Sequence, residues 1–237
     1  MDILHFDADI INVNNLPQQR IDSMKRFVRP YNGILKDENI FTACFRDKKY
    51  TFSLWNKAFR AEMCKNAVVG MKYAVIPKAQ DKLLYFVLSF AAKSYKGMPD
   101  KKYYQYNFGR GGTGIAHLNI KQFERYCTMA WTADAMDSFL KERGVYEIYK
   151  DIAEKNRNDL LNDCLARWLN ETAKNEKAAC FDLLLHYWQT DEVIGKLAEK
   201  KFYDRYEIAC QITGAESLKY NKREVKTIAT YYHSCAN

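Results

Sequence analysis

The stretch from Pro77 to Gly114, PKAQDKLLYFVLSFAAKSYKGMPDKKYYQYNFGRGGTG, limits most strongly what this chain can fold into. It sets an isolated carboxylate, an apolar helix, an aromatic strand and a glycine-rich loop in immediate succession. From Asp81 to Asp100 every other residue is uncharged or basic. Behind Asp81, the residues Leu83, Leu84, Phe86, Val87, Phe90 and Ala91 can bury almost a whole helix. A lone acid at the mouth of such a run is a candidate general base. In the first turn of a helix it also favours the positive end of the dipole, and position alone leaves both uses open. Gly97 and Pro99 read as the stop of this helix, and KKYYQYNF alternates as an aromatic strand.

The loop after that strand, Gly109-Arg110-Gly111-Gly112-Thr113-Gly114, spells G-x-G-x-x-G. A dinucleotide fingerprint needs a helix opening directly on the last glycines and an acid closing the next strand. Here the next helix waits for about Asn119, and Asp134 falls within a helical pattern. What remains is a loop in which Arg110 and backbone N–H groups can cradle a phosphate.

The 237 residues can hold one large domain or two small ones and need no staples to fold. Seven cysteines, an odd number, lie far apart without a C-x-x-C pair, which speaks against a disulfide framework or a zinc site and for a reducing cytoplasm. His5, His117, His186 and His233 are scattered without a ligand pattern. The first residues show no charged region followed by an apolar core and a small-residue cleavage site, and no apolar run nears eighteen residues, so the chain is expected to be neither secreted nor membrane-spanning. The charge of +8 is uneven, with 19 Lys and Arg against 10 Asp and Glu in residues 1–110, and 18 against 19 thereafter. A basic first half suits phosphate-bearing substrates, acidic lipid head groups or nucleic acid, or is a solubility surplus.

In chain order, residues 2–13 read as a buried strand. Asp7-Ala8-Asp9 on it either faces water or sets two carboxylates to one side, as a divalent ion requires. The strand starts with no lead-in, so the chain is expected to begin inside a domain whose earlier part is absent. A turn-rich connection from Pro17 to Lys36, with a short strand around Met24 to Val28, leads to Asp37 as the N-cap of a helix through Ile40, Phe41, Cys44 and Phe45. A short strand through Leu54, a Trp55-Asn56-Lys57 corner and a helix from about Arg60 to Val68 follow. In that corner Trp55 can stack on a sugar or base, Asn56 can bond hydroxyls and Lys57 can meet a phosphate; a buried Trp beside a polar turn is the structural alternative.

After Asn119 the periodicity is helical: a first pattern to Gly144, a long helix with Leu160, Leu161, Cys164, Leu165, Trp168 and Leu169 on one face, and helices at about 178–188 and 192–212. The tail mixes basic residues with tyrosines and reads as loosely ordered or as a partner-docking segment. The expected fold is α+β and α-rich, with strands confined to about 2–13, 50–55 and 102–108.

With LWNKAFRAEMCKNA and the Pro77–Gly114 stretch in view, the chain resembles the second half of bacterial family 2 glycosyltransferases, inverting GT-A enzymes that build surface glycans. In that family a W-N-K-like corner and helix precede a helix opened by an acidic pair, then a Tyr-rich strand and a loop with Arg, Gly and Ser or Thr. The resemblance implies that Asp81 is the catalytic base, with Gln80 standing where the family usually has Glu. Arg110 and Thr113 would approach the donor diphosphate, and Trp55, Asn56, Lys57 and Gln80 would line the sugar or acceptor pocket. It divides the chain into a partial GT-A-like catalytic region at 1–118, a helical extension at 119–213 and a basic tail at 214–237.

The same resemblance implies a nucleotide-diphosphate sugar as donor, a glycan or lipid-linked acceptor, and a cytoplasmic place with peripheral contact at the inner face of the plasma membrane. The full enzyme would use Mg or Mn. This chain would hold no metal, because the nucleotide-binding half and its D-x-D have no counterpart here, and Asp7 and Asp9 fall downstream of that motif. Alone it is expected to bind nucleotide sugars weakly and to lack activity. A non-catalytic interaction domain or membrane-surface docking domain is the alternative. A nucleic-acid module is disfavoured despite seventeen tyrosines, for want of any reader motif.

Overall fold

The computed structural model of the protein describes residues 1–69, 71, 76–110 and 117–213. In chain order the elements are β1 (Ile3–Asn12), α1 (Gln18–Val28), β2 (Ile34–Lys36), α2 (Glu38–Phe45), β3 (Lys57–Phe59), α3 (Ala61–Val68), α4 (Gln80–Ala91) and β4 (Ser94–Phe108). The rest is helical: α5 (Ile120–Cys127), α6 (Met129–Glu142), α7 (Lys150–Glu171), α8 (Lys177–Tyr187) and α9 (Thr190–Thr213). The fold is α+β and α-rich, as the periodicities imply.

One mixed sheet runs in the order β2-β4-β1-β3. β1 and β4 are parallel, from Ile3 opposite Tyr95 to Asn12 opposite Phe108, while β2 and β3 close the two edges in antiparallel fashion. The β1–β4 register shifts after Phe6, whose partner is Met98, to Asp7, whose partner is Lys102. Pro99, Asp100 and Lys101 thus stand outside the ladder in a bulge, where a proline with no N–H to donate is tolerated.

Behind the sheet, α4 is buried along nearly its whole length from Lys82 to Ser89. Phe41 of α2 meets Phe86 at 4.8 Å and Phe90 at 5.4 Å, and Tyr149 at 5.2 Å, all edge-on, the preferred arrangement of aromatic pairs. Met136, Phe139 and Leu140 of α6 and Ile152 of α7 complete this core. Asn119 opens α5 with a capping box to Gln122, each side chain bonding the other's backbone N–H. The helical pattern from Asn119 to Gly144 is two helices, with Thr128 at the break donating its hydroxyl to the Arg125 carbonyl at 2.7 Å.

Several expectations need correction. Met24 to Val28 is not a strand but the end of α1, a surface helix that buries only Ile21 and Val28 and therefore shows a sparse apolar signal. The strand expected at 50–55 lies instead at β3, and β2 was not anticipated at all. α4 does not run to Gly97 and Pro99. Its backbone turns extended at Ala92, with φ −69° and ψ 141°, and both residues belong to β4.

Met1–Cys180 forms one compact unit and Phe181–Asn237 a second, of which the rest of α8 and all of α9 are described. The first unit includes α5, α6 and α7, joined to the sheet region by Arg46–Asp151 at 2.6 Å and Lys48–Asp159 at 3.1 Å. The tail at 214–237 lies outside the described residues. No helix among the described residues is long and apolar enough to cross a membrane.

Candidate functional site

Asp81 stands in the first turn of α4, half-buried, after Ala79 in left-handed backbone at φ 61°. One carboxylate oxygen accepts the N–H of Lys82 at 2.8 Å. Among the described residues Asp81 makes no ion pair, so its second oxygen remains uncommitted. Gln80 beside it is exposed. Lys82, which sequence reasoning passed over, turns inward. Its ammonium lies 5.5 Å from the Phe52 ring, and burial pulls its pKa down to about 8.

The Trp55-Asn56-Lys57 corner divides by depth. Asn56 and Lys57 are interior, whereas Trp55 is half-exposed. Lys57 Nζ donates to the carbonyls of Thr51 at 2.9 Å and Ser53 at 2.5 Å, and lies 4.7 Å from the centre of the Tyr85 ring. Burial draws its pKa down to about 7, with the nearby Cys44 acting weakly the other way. Ser53 Oγ donates to Asn56 Oδ1 at 2.6 Å, and Asn56 Nδ2 donates to the Val28 carbonyl at 2.7 Å. Both side chains thus build the corner from within, their polar atoms bonded to Thr51, Ser53 and Val28 of the chain itself.

The network continues into the sheet. Tyr31 N–H donates to Tyr95 Oη at 3.2 Å, Tyr95 Oη and His5 Nδ1 share a hydrogen bond at 2.8 Å, and His5 Nε2 faces both the Val28 carbonyl at 3.2 Å, to which it donates in one tautomer, and Asn56 Nδ2 at 3.0 Å, from which it accepts in the other. Burial first, and then the charge of Lys57, pull the His5 pKa down to about 2, so this imidazole is neutral. Beside it Tyr85 donates to Tyr50 at 3.1 Å, and Tyr50 donates to the Ile40 carbonyl at 2.6 Å. Scattered spacing gave no sign of His5, because its partners Tyr95 and Asn56 are 90 and 51 positions away.

Trp55 lies on an aromatic face of β4. Its ring is parallel to Tyr106 within 6° at 4.7 Å and tilted against Tyr104 at 4.8 Å. Tyr106 in turn stacks on Phe108 at 6.1 Å. The alternation of KKYYQYNF held this ladder, since residues 104, 106 and 108 share one face of a strand. Arg110 follows it, exposed, its N–H reaching the Asn107 carbonyl at 3.4 Å. Thr113 and Gly111, Gly112 and Gly114 lie outside the described residues. Among the described residues no hydrogen bond, ion pair or ring contact joins Asp81 to Trp55 or Arg110.

Among the described residues the acids of the D-x-D triplet are each engaged. Asp7 turns one oxygen to the N–H of Ala8 at 2.8 Å, Asp9 pairs with Lys102 at 2.8 Å, and no cluster of three or more His, Cys, Asp and Glu is placed to hold a metal among the described residues. No protein-family model matches the chain, and no curated protein and no solved structure matches it either.

Proposed function

We propose that this chain carries the acceptor side and the general base of an inverting sugar transfer, from a nucleotide-diphosphate sugar to a glycan or lipid-linked acceptor. The observation that carries the reading is Asp81, a half-buried carboxylate in the first turn of α4 with no cation paired to it among the described residues. In such a transfer the free oxygen of Asp81 takes the proton of the acceptor hydroxyl as that oxygen attacks the anomeric carbon. The bond to the diphosphate breaks on the opposite face, the configuration inverts, and the electron pair leaves with the nucleotide diphosphate. One carboxylate suffices, unlike the flanking pair of a glycosidase. Arg110 offers a cation to the departing diphosphate. No step is assigned to a divalent ion. The scattered cysteines and the basic first half fit a cytoplasmic place with peripheral contact at the inner face of the plasma membrane.

The test is product formation from tritiated nucleotide-diphosphate sugars with bacterial surface-glycan oligosaccharides as acceptors, a nucleotide-binding domain being supplied by fusion. Asp81→Asn is expected to keep the fold and donor binding and to lose transfer by roughly 10²-fold or more, the scale of a positioned base. Unchanged turnover in this variant removes Asp81 from the chemistry and leaves it the helix-dipole role.

A further inference from the structure

The ladder Tyr104–Trp55–Tyr106–Phe108 runs into an open cleft of about 380 Å³ between α1 and the end of β4, lined by Gln19, Arg20, Ser23, Met24, Phe27 and Phe108. The five α1 residues fall in rows three or four apart, 19, 23 and 27 and 20, 24 and 27, so one face of that helix forms the wall. The Arg20 guanidinium sits over the Phe108 ring at 5.8 Å. Among the described residues it meets no carboxylate, and the side-chain amide of Gln19 has no partner either. The one acid on this helix, Asp22, is bonded by Gln18 at 2.8 Å. A guanidinium placed over a ring, with no carboxylate beside it, can present its N–H fork to an anion.

Size and shape say more about the occupant. From Tyr104 to Phe108 a strand spans about 13 Å, longer than a single sugar ring or nucleobase. Tyr104 and Trp55 keep part of their surface open, and an aromatic body with a polar tip suits the apolar C–H face of a pyranose. Ser23 Oγ donates to the Gln19 carbonyl at 2.8 Å and accepts from Arg26 Nη2 at 3.0 Å, which leaves one lone pair for a ligand hydroxyl. On the far wall Phe27 packs on Phe52 at 5.7 Å, and Phe52 faces Lys82, the neighbour of Asp81. Two ring contacts thus connect the cleft with the start of α4.

We infer that the cleft and ladder bind an acidic oligosaccharide, its sugar faces along Tyr104 and Trp55 and one carboxylate or phosphate substituent on Arg20. The inference rests on the acceptor-side reading for its choice of a saccharide, and names the acceptor as anionic.

Calorimetric and NMR titrations of the full chain test it, using a uronic-acid-containing oligosaccharide, its carboxyl-reduced counterpart, a phosphorylated oligosaccharide and uridine monophosphate. The acidic sugars should bind about tenfold or more tighter than the reduced one, the scale of a hydrogen bond to a charged group. Whichever of the two acidic sugars binds tighter identifies the anion. Arg20→Gln should erase that difference while keeping the wild-type circular dichroism spectrum, and Arg20→Lys should restore part of it. Equal binding of acidic and reduced sugars, or an Arg20→Gln variant that still discriminates, overturns the inference and leaves the acceptor reading standing. Tighter binding of uridine monophosphate than of any sugar, lost in Arg20→Gln, makes the cleft a nucleotide site and overturns it as well. Absence of binding by every saccharide removes the acceptor reading with it.

Discussion

A Cβ placed on Gly97 would fall 1.6 Å from the carbonyl oxygen of Tyr31. The two segments cross here because the Gly97 N–H donates to the Gly33 carbonyl at 2.9 Å, while the Tyr31 N–H is held by Tyr95 Oη. The obstacle is backbone, which cannot swing aside as a side chain would. Gly97→Ala should therefore lower the unfolding free energy by about 1–3 kcal/mol or more. Urea denaturation measures it, and an unchanged midpoint would show that the crossing is looser than described.

His5 sets an acid limit on the fold. Its pKa falls from 6.5 in the unfolded chain to about 2 in the folded one, through burial and then the charge of Lys57. The unfolded state gains a proton below pH 6.5 that the folded state refuses, so stability present above that pH is lost as the pH falls toward 2, at about 1.4 kcal/mol per unit. At pH 5, still above the ordinary carboxylate range of about 4, the loss should reach about 2 kcal/mol. Denaturant titrations at pH 7.5 and 5 read it. In His5→Gln, whose amide can meet both Tyr95 and Val28, most of the loss should vanish, leaving the smaller share that Lys57 contributes near pH 7; an equal loss there assigns the effect elsewhere.

Cysteine chemistry should follow depth. Burial pushes the Cys44 thiol up to about 12 and raises Cys64 less, and Cys64 alone of the pair reaches the surface. Cys127 and Cys164 are both buried, with their sulfurs 4.0 Å apart. N-ethylmaleimide under native conditions should modify Cys64 well before Cys44, Cys127 or Cys164, because only the accessible thiolate reacts. Peptide mass spectrometry over a time course checks the order, and equal rates at Cys44 and Cys64 would contradict the burial.

What could be read from the sequence was local. The runs behind Asp81, before Cys44 and after Asn119 announce α4, α2 and the later helices because burial on one face repeats every three or four residues. α1 escaped because Gln18, Gln19, Arg20, Lys25 and Arg26 outweigh its two buried residues. β4 was started late because Gly97 and Pro99 carry the punctuation of a helix stop, whereas one allows a backbone crossing and the other sits in a bulge. For the candidate site, the position of Asp81 in its helix was legible. The inward turn of Asn56 and Lys57 was not, since it depends on His5, Val28 and Tyr85, which no spacing within the corner reveals. Arg20 gave no motif because its significance lies in meeting Phe108 across the sheet end.

Trp55 itself should be separable into a packing and a binding role. Removing its stack on Tyr106 and Tyr104 costs about 1 kcal/mol beyond lost area, and Trp55→Phe should recover most of that while Trp55→Ala does not. If the ring also carries a sugar face, Trp55→Ala loses oligosaccharide affinity by more than its stability loss explains, at temperatures where it remains fully folded. Equal affinity in folded Trp55→Ala limits the ring to packing.

Lys57 links this corner to pH from the opposite side. Burial draws its pKa from 10.5 to about 7, so between these values the unfolded chain holds a proton that the folded one has released. Stability therefore rises with pH in that window, by about 1 kcal/mol from pH 7 to 8. Lys82, drawn to about 8 mainly by burial, adds in the same direction above that, and near pH 9 Cys44, held up at about 12, begins to oppose it. Lys57→Met should remove most of the rise between pH 7 and 8, leaving the smaller share of Lys82. It should also cost about 1–3 kcal/mol at pH 8, because the partly buried carbonyl of Thr51 and the buried one of Ser53 lose their donor. Those carbonyls belong to the turn that presents Trp55, so the same variant should weaken oligosaccharide binding although Lys57 touches no ligand. Thermal midpoints at pH 7 and 8, paired with one titration, decide the matter. A rise that persists undiminished in Lys57→Met belongs to Lys82, and unchanged sugar affinity in the folded variant separates the buried ammonium from the ladder it underlies.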